Sequence, residues 1–265
     1  MQLLTNLFNL PLPTVPAFRV FSKNLSYFFQ SFWFSILWLI TEPIFYLFAI
    51  GYGIGSLIPQ VNGQSYLSFY FPALLATSGM FHSFGECGYG SFHKLKRSKT
   101  YQLMMMTPIQ PSDIAFGEIL WASIKSLIGP LLVVLILGFN SASIKMSFLG
   151  PVFAVLFFSN WIFASLGLLV ACLSNYTRRW FAWVQISVVI PMSLIGGTYF
   201  PTEVLPTGLR WISFLLPLTH TNIVIRKLIV GQVDYLVFLH LAVIFGFGFF
   251  LSSFATSLLS KKLFH

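Results

Sequence analysis

Residues 196–226 read GGTYFPTEVLPTGLRWISFLLPLTHTNIVIR, and this stretch decides how the rest of the chain is organised. Pro201, Pro206 and Pro217 interrupt it and polar residues are scattered along it, so it is too broken to cross a bilayer as one helix. Yet it lies directly between two stretches without charge, 181–197 and 236–259. An apolar segment of this length, held by membrane at both ends and bent back on itself, reads as a re-entrant element. Irregular backbone at membrane depth survives only where protein or a water-filled path satisfies its polar groups. The segment is therefore expected to border a route through the membrane.

Composition agrees with a membrane setting. Of the 265 residues, 57% are hydrophobic and 8% charged, where a soluble domain carries about 25% charged residues. Six apolar stretches are found, at 32–53, 66–85, 114–139, 148–173, 181–197 and 236–259. Each is close to the ~20 residues that a crossing helix needs, and a chain in lipid must satisfy its backbone internally. An all-α integral membrane domain with six transmembrane helices over 1–265 is expected, with little sequence left for anything outside.

The net charge of +9 invites a nucleic-acid reading, but its placement argues for a membrane one. Arg19, Lys23, Lys94, Lys96, Arg97, Lys99, Arg178, Arg179, Lys261 and Lys262 all emerge on one side when the spans are threaded in order. The other side receives Lys145, Arg210, Arg226 and Lys227, and Lys125 sits within a span. Such asymmetry is the positive-inside pattern, which puts both termini in the cytoplasm and argues against a nucleic-acid partner. Cys87 and Cys172 have no metal-site spacing and a disulfide is not expected. No cleavable signal peptide is expected either, because the first residues lack a basic region followed by a short apolar core.

Ahead of the first span, Phe18, Phe21, Leu25 and Phe28 recur at steps of three and four, with Arg19, Lys23, Ser26 and Gln30 opposite. The pattern predicts an amphipathic helix over 14–30 with Pro16 near its start, lying in the headgroup region among membrane lipids. A helix packed on protein is the plainer alternative. Trp33, Trp38, Tyr52, Tyr66, Trp161, Trp180, Trp183, Tyr199 and Tyr235 fall toward span ends, which reads chiefly as aromatic belts.

The connection from Ser91 to Ser112, SFHKLKRSKTYQLMMMTPIQPS, joins a basic block to a helix-compatible apolar run that Pro108 ends. Tyr101, Met104 and Met105 are expected on one face, and flexible methionines suit a surface that stays docked while its partner moves. The plainer reading, a basic loop that enforces topology, explains the lysines but not the methionines. No Gly-Lys pair occurs, so no phosphate-binding loop is present. A transport engine driven by ATP would be another polypeptide.

Ionisable residues in the spans are Glu42, His82, Glu86, Glu118, Lys125 and His240, each a functional candidate because charge in lipid is costly. Helical spacing suggests pairing of His82 with Glu86 and of Glu118 with Lys125. Glu86 and Glu118 are expected near the cytoplasmic interface in structural roles, while Glu42, beside Pro43, lies deeper and is a pathway candidate together with Tyr199. No chain of such groups suggests a proton relay. The motifs of zinc hydrolases and metal-dependent transferases are absent, and no serine or cysteine nucleophile has a nearby base. His220 lacks a neighbouring carboxylate and is assigned to orienting the turn. No catalytic or metal residue is therefore assigned. The rival classes are an ATP-independent carrier and a membrane enzyme.

YFPALLATSGM at 70–80, TPIQPSDIAFGEILW at 107–121, GGTYFPTEVLP at 196–206 and PLTHTNIVIR at 217–226 resemble the membrane subunits of type 2 ABC exporters. The pattern is nearest to the branch exporting lipo-oligosaccharides, nodulation-factor exporters included; polysaccharide and drug exporters are more distant. The likeness holds in order and spacing over nearly the whole chain. It implies an N-terminal interfacial helix, six membrane helices, and permease dimers working with two copies of a separate ATPase that holds ATP and magnesium. It also implies a coupling helix over 99–108, with Lys99, Tyr101, Met104, Met105 and Pro108, and an external re-entrant gate over 198–226, with Phe200, Pro201, Leu205, Pro206, Pro217 and His220. By that resemblance the chain would be the permease, here a homodimer, of an exporter for an amphiphilic cargo: a lipo-oligosaccharide, a polysaccharide, a lipid-like molecule or, alternatively, a small hydrophobic drug.

Overall fold

A computed structural model describes residues 10–58, 60–61, 63–138, 148–174 and 179–264. Lys145, Arg178 and the end of the expected third span at Phe139 lie outside the described residues. Helix α1 (Val15–Gln30) opens with Thr14 Oγ1 accepting the Ala17 amide at 3.2 Å. Helix α2 (Phe32–Tyr46) passes through Pro43 and widens into π-helical turns over Leu47–Ile54 before ending at Leu57. A two-residue-per-strand hairpin pairs Gln60 with Ser65 and Val61 with Gln64 and leads into α3 (Tyr66–Phe92), which continues as π turns through His93–Arg97. There follow α4 (Thr100–Met104), α5 (Pro111–Lys125), α6 (Ile128–Gly138) and α7 (Leu149–Leu173). Helix α8 runs Arg179–Val184, Gln185–Val189 and Ile190–Ile195, its middle π-helical. The chain closes with α9 (Thr207–Phe214), α10 (Pro217–Val230) and α11 (Tyr235–Phe264).

Among the described residues, four helices are long and apolar enough to cross a membrane: Phe32–Leu57, Pro111–Ile136, Leu149–Leu173 and Tyr235–Phe264. The expected spans at 66–85 and 181–197 are also helical but do not join that set. Helix α3 has 27 residues, some 40 Å of rise at ~1.5 Å per residue, yet carries Thr77, Ser78, His82, Ser83 and Glu86. It can, because Phe69 through Met80 is buried without a break, and a helix surrounded by protein need not be apolar. Two of its hydroxyls return to the helix itself, Ser78 Oγ donating to Leu75 O and Ser83 Oγ to Met80 O, both at 3.2 Å, while Thr77 Oγ1 pairs with Thr198 Oγ1 at the same distance. The apolar part of α8 spans only Trp180–Ile195.

The core lies along α3, α7 and α11, with α5 and α10 packed beside them. Helix α7 is the inner apolar helix, 61% of its most apolar window buried against 22% for Phe32–Leu57. Trp33, Phe34, Leu37, Trp38, Phe45 and Phe48 of α2 accordingly stay exposed.

Helix α1 is bound to α5 along its length. A Cβ on Gly117 would lie 2.6 Å from Val20 Cβ and 2.7 Å from the Ala17 carbonyl, so only glycine permits this approach. Its buried face is Ala17, Val20, Asn24 and Phe28, rotated from the expected Phe18, Phe21, Leu25, Phe28 stripe. The cause is polar as well as apolar: Asn24 Nδ2 donates to Glu118 at 3.1 Å, Thr14 Oγ1 bonds Asp113, and Phe21 and Phe28 each meet the Trp121 ring edge-on at 5.7 Å. Phe18 remains half exposed. Trp33, Trp38, Trp180, Trp183 and Tyr235 point outward as aromatic belts require, whereas Tyr66 is buried at 3% exposure.

Candidate functional site

The turn between α3 and α5 is built on a reversal at Lys99, whose φ of 51° makes it the sole described non-glycine residue in the left-handed region. Beyond it, α4 lies back against the protein. Tyr101 is fully buried, its hydroxyl donating to Ser91 Oγ at 3.0 Å; burial, then the Glu118 charge, raises its phenol well above the usual range. Met104 and Met105 are half-buried on the cluster formed by Leu95, Tyr101 and Ile114. The expected outward face of Tyr101, Met104 and Met105 is thus corrected: those residues anchor the turn, because the apolar side of so short a helix finds its own chain first. Leu103 at 60% and Met106 at 82% exposure point away, next to exposed Lys99 and Pro108. The turn ends where Asp113 accepts the Gln110 amide at 2.8 Å at the start of α5.

Behind this turn lies an ionic cluster. Lys94 Nζ is 2.8 and 2.7 Å from the two oxygens of Glu118 and 2.7 Å from Asn24 Oδ1. Lys23, nearby, has its pKa lowered by burial and then by the Lys94 charge. Glu86 accepts from Lys125 Nζ at 2.7 Å and from Trp121 Nε1 at 2.8 Å. Neither expected pairing, His82 with Glu86 or Glu118 with Lys125, forms. Spacing along one helix places two groups on a common face, but here the partners come from neighbouring helices. His82 instead turns Nδ1 to Ser78 O at 2.8 Å and Nε2 toward Glu42 Oε2 at 3.8 Å.

At the other end, residues 196–230 form a short helix and a longer one. Gly197, with φ of 74°, reverses the chain after α8, and Pro201 leads into a single 3-10 turn, Thr202–Val204. Helix α9 is mostly exposed, α10 mostly buried. Phe200, Pro201 and Leu205 are half-buried, Pro206 caps α9 in the open, and Pro217 is buried at the head of α10. Helix α10 fastens the turn: Asn222 Nδ2 donates to Gly196 O at 2.8 Å and Thr221 Oγ1 to Ser159 Oγ at 3.0 Å. Arg226, counted from sequence as a charge on one side of the membrane, reaches inward. Its Nη2 donates to Gly197 O at 2.6 Å and its Nε to Phe69 O at 3.2 Å, with the guanidinium 3.9 Å from the Phe69 ring centre. His220 links Phe214 O, 2.9 Å from Nε2, to His240 Nδ1, 2.7 Å from its own Nδ1.

Glu42 and Tyr199, distant in sequence, line one cleft with Tyr46, Tyr70, Thr77 and Phe81. Tyr66 donates to the Tyr199 carbonyl at 3.0 Å, and the Tyr66, Tyr70 and Tyr199 rings form a ladder, spaced 6.0 and 5.9 Å. Sequence reasoning missed His82 as the partner of Glu42 and Arg226 as the tie on the turn. The run YFPALLATSGM contains Tyr70 and Thr77, but nothing in it pointed to Tyr46 or Phe81 beside them. Among the described residues no group of His, Cys, Asp and Glu could hold a metal ion.

Comparison with known proteins agrees over most of the chain. The ABC-2 type transporter family matches residues 18–230. The chain is similar to Nodulation protein J of Rhizobium leguminosarum bv. viciae, 32% identical over 213 residues that cover 79% of this chain and 80% of the relative. Nodulation protein J of Rhizobium meliloti (strain 1021) is 32% identical over 235 residues, 86% of this chain and 87% of the relative. That of Bradyrhizobium diazoefficiens is 29% identical over 201 residues, 75% of each chain.

Proposed function

This chain belongs to the ABC-2 type transporter family, and we propose that it is the permease of an ATP-driven exporter that moves an amphiphilic cargo out of the cytoplasm. As a membrane subunit of that family it is non-catalytic, and membership implies an ABC ATPase partner. On our reading that partner is a separate polypeptide in two copies, carrying ATP and magnesium, since no Gly-Lys pair is available here for a phosphate-binding loop. A lipo-oligosaccharide, polysaccharide or lipid-like cargo follows from the motif resemblance, with a small hydrophobic drug as the alternative.

The family match over residues 18–230 carries this reading. Two structural features support its finer parts. Leu103 and Met106 protrude from a turn that Tyr101, Met104 and Met105 anchor to the protein, which suits residues 99–108 to transmit motion from a docked ATPase. The cleft beside Glu42 measures about 210 Å³ including its open mouth, too little for a lipid-linked oligosaccharide. A route at the face between two copies, along the exposed aromatic side of α2, meets the need, so a homodimer is our reading. The pathway would then run past Glu42 and Tyr199, with residues 198–226 as a re-entrant external gate. Six crossing helices, both termini in the cytoplasm and a bacterial inner-membrane location complete the proposal. ATP binding would close the ATPases, and the spans would alternate between inward and outward access.

The test is isolation of the tagged full-length chain from its native membrane in mild detergent. An ABC ATPase should accompany it, and vanadate should halt export in reconstituted vesicles. Uphill transport by the chain alone would defeat the proposal.

A further inference from the structure

We propose that the outer side of α1 seats one anionic phospholipid, its phosphate between Arg19 and Lys23 and its acyl chains along Phe18 and Phe29. Three sides of this helix have different surroundings. Ala17, Val20, Asn24 and Phe28 are buried, the helix lying along α5. At about 100° per residue, Phe18, Leu25 and Phe29 share a second side, with Phe18 49% and Phe29 63% exposed. Arg19, Lys23, Ser26 and Gln30 share the third, where Lys23 is half-buried and the other three are exposed. Arg19 and Lys23 stand one turn apart, and like charges at that spacing disfavour each other. Among the described residues neither has a hydrogen-bond or ion-pair partner.

The carboxylate that acts on Lys23 is already taken. Glu118 accepts Lys94 on both oxygens and Asn24 on Oε2. Lys23 is left with the Tyr27 ring, its ammonium 5.8 Å from the centre, at the outer limit of a cation–π contact. Burial and the Lys94 charge both press Lys23 to give up its proton, and an anion beside it relieves that pressure. A phosphate suits the pair, since its oxygens can accept from a guanidinium and an ammonium together at about 2.7–2.9 Å. The neighbouring side decides what carries the phosphate. Free phosphate or an acidic protein surface would leave Phe18 and Phe29 bare, whereas a lipid covers the cations and the rings at once. The site is held ready, because the close approach at Gly117 fixes α1 against α5.

The test incubates the full-length chain in mild detergent with equal amounts of phosphatidylglycerol and phosphatidylcholine and counts retained lipid by native mass spectrometry. Phosphatidylglycerol should be preferred. The preference should fall about fivefold in Arg19→Gln and by a further factor of about five when Lys23→Gln is added. Arg19 is exposed, so the single variant leaves folding aside. Arg210→Gln with Lys261→Gln removes the same charge from exposed positions elsewhere and should leave the preference unchanged. No preference in the parent overturns the site. So does an equal fall in both double variants, which would reduce the effect to net charge. A preference that survives in Arg19→Gln while ATPase copurification is lost also overturns it, giving this side of α1 to a protein partner.

Discussion

The ammonium of Lys94 sits 2.7 Å from Glu118 Oε2 and 2.8 Å from Oε1, bringing the basic block after α3 against a carboxylate that is 97% shielded in α5, its side chain being 3% exposed. Asn24 joins the same ammonium from α1 at 2.7 Å. Three segments far apart in the chain thus converge directly behind the turn proposed to meet the ATPase.

Removing one partner of such a pair leaves a buried charge uncompensated. Lys94→Met should lower stability by about 3–5 kcal/mol, read as a loss of melting temperature in detergent, and Lys94→Met with Glu118→Gln should recover most of it. A single variant that melts like the parent would show the pair to be idle.

For the docking turn, Met106→Glu and Leu103→Glu should each cut ATPase copurification at least tenfold while the permease still inserts and folds. Tyr101→Phe should leave copurification intact and cost about 1 kcal/mol through the lost bond to Ser91. The reverse outcome, with docking sensitive to Tyr101 and indifferent to Met106, would mean that the turn presents another face.

Arg226 ties the Gly197 reversal to α3 with a planar group that lysine lacks. Arg226→Lys should destabilise the protein by about 2–3 kcal/mol and admit protease cleavage near Phe200, which quantitative mass spectrometry would detect. Unchanged cleavage would show that Asn222 suffices to hold the turn.

Topology is open to a chemical test. Arg210→Cys, in exposed α9, should react with an impermeant reagent added outside intact cells, and Arg97→Cys, exposed beyond α3, should not. Reaction of Arg97→Cys alone would invert the arrangement.

Four helices were legible because apolar runs of membrane length are hard to mistake, and α1 was legible from its period. Which way α1 faced was not, because its orientation depends on Gly117 yielding space to Val20 and on Asn24 finding Glu118, ninety-four residues away. Tyr101 shows the same gap: amphipathicity separates two faces of a short helix without saying which one the chain covers itself. Helical spacing could propose only partners on one helix, so Lys94–Glu118 and Lys125–Glu86 were out of sight. Glu42 and Tyr199 were picked separately, one as a charge in a span and the other as an aromatic beside a break. Their meeting in one cleft, with His82 behind Glu42, is a product of packing alone.

Thr14 on Asp113, Asn24 on Glu118 and the two phenylalanines on Trp121 fasten α1 to α5 at both ends and in the middle. Helix α1 is therefore an outrigger of the bundle, with Phe18 and Phe29 exposed along its flank. On the proposed placement of α1 in the headgroup region, any rocking of α5 during a transport cycle would drag that flank through the adjoining leaflet. Bilayer stiffness would then be a mechanical load on turnover, and stiffer lipid should slow the cycle without touching a single residue of the route.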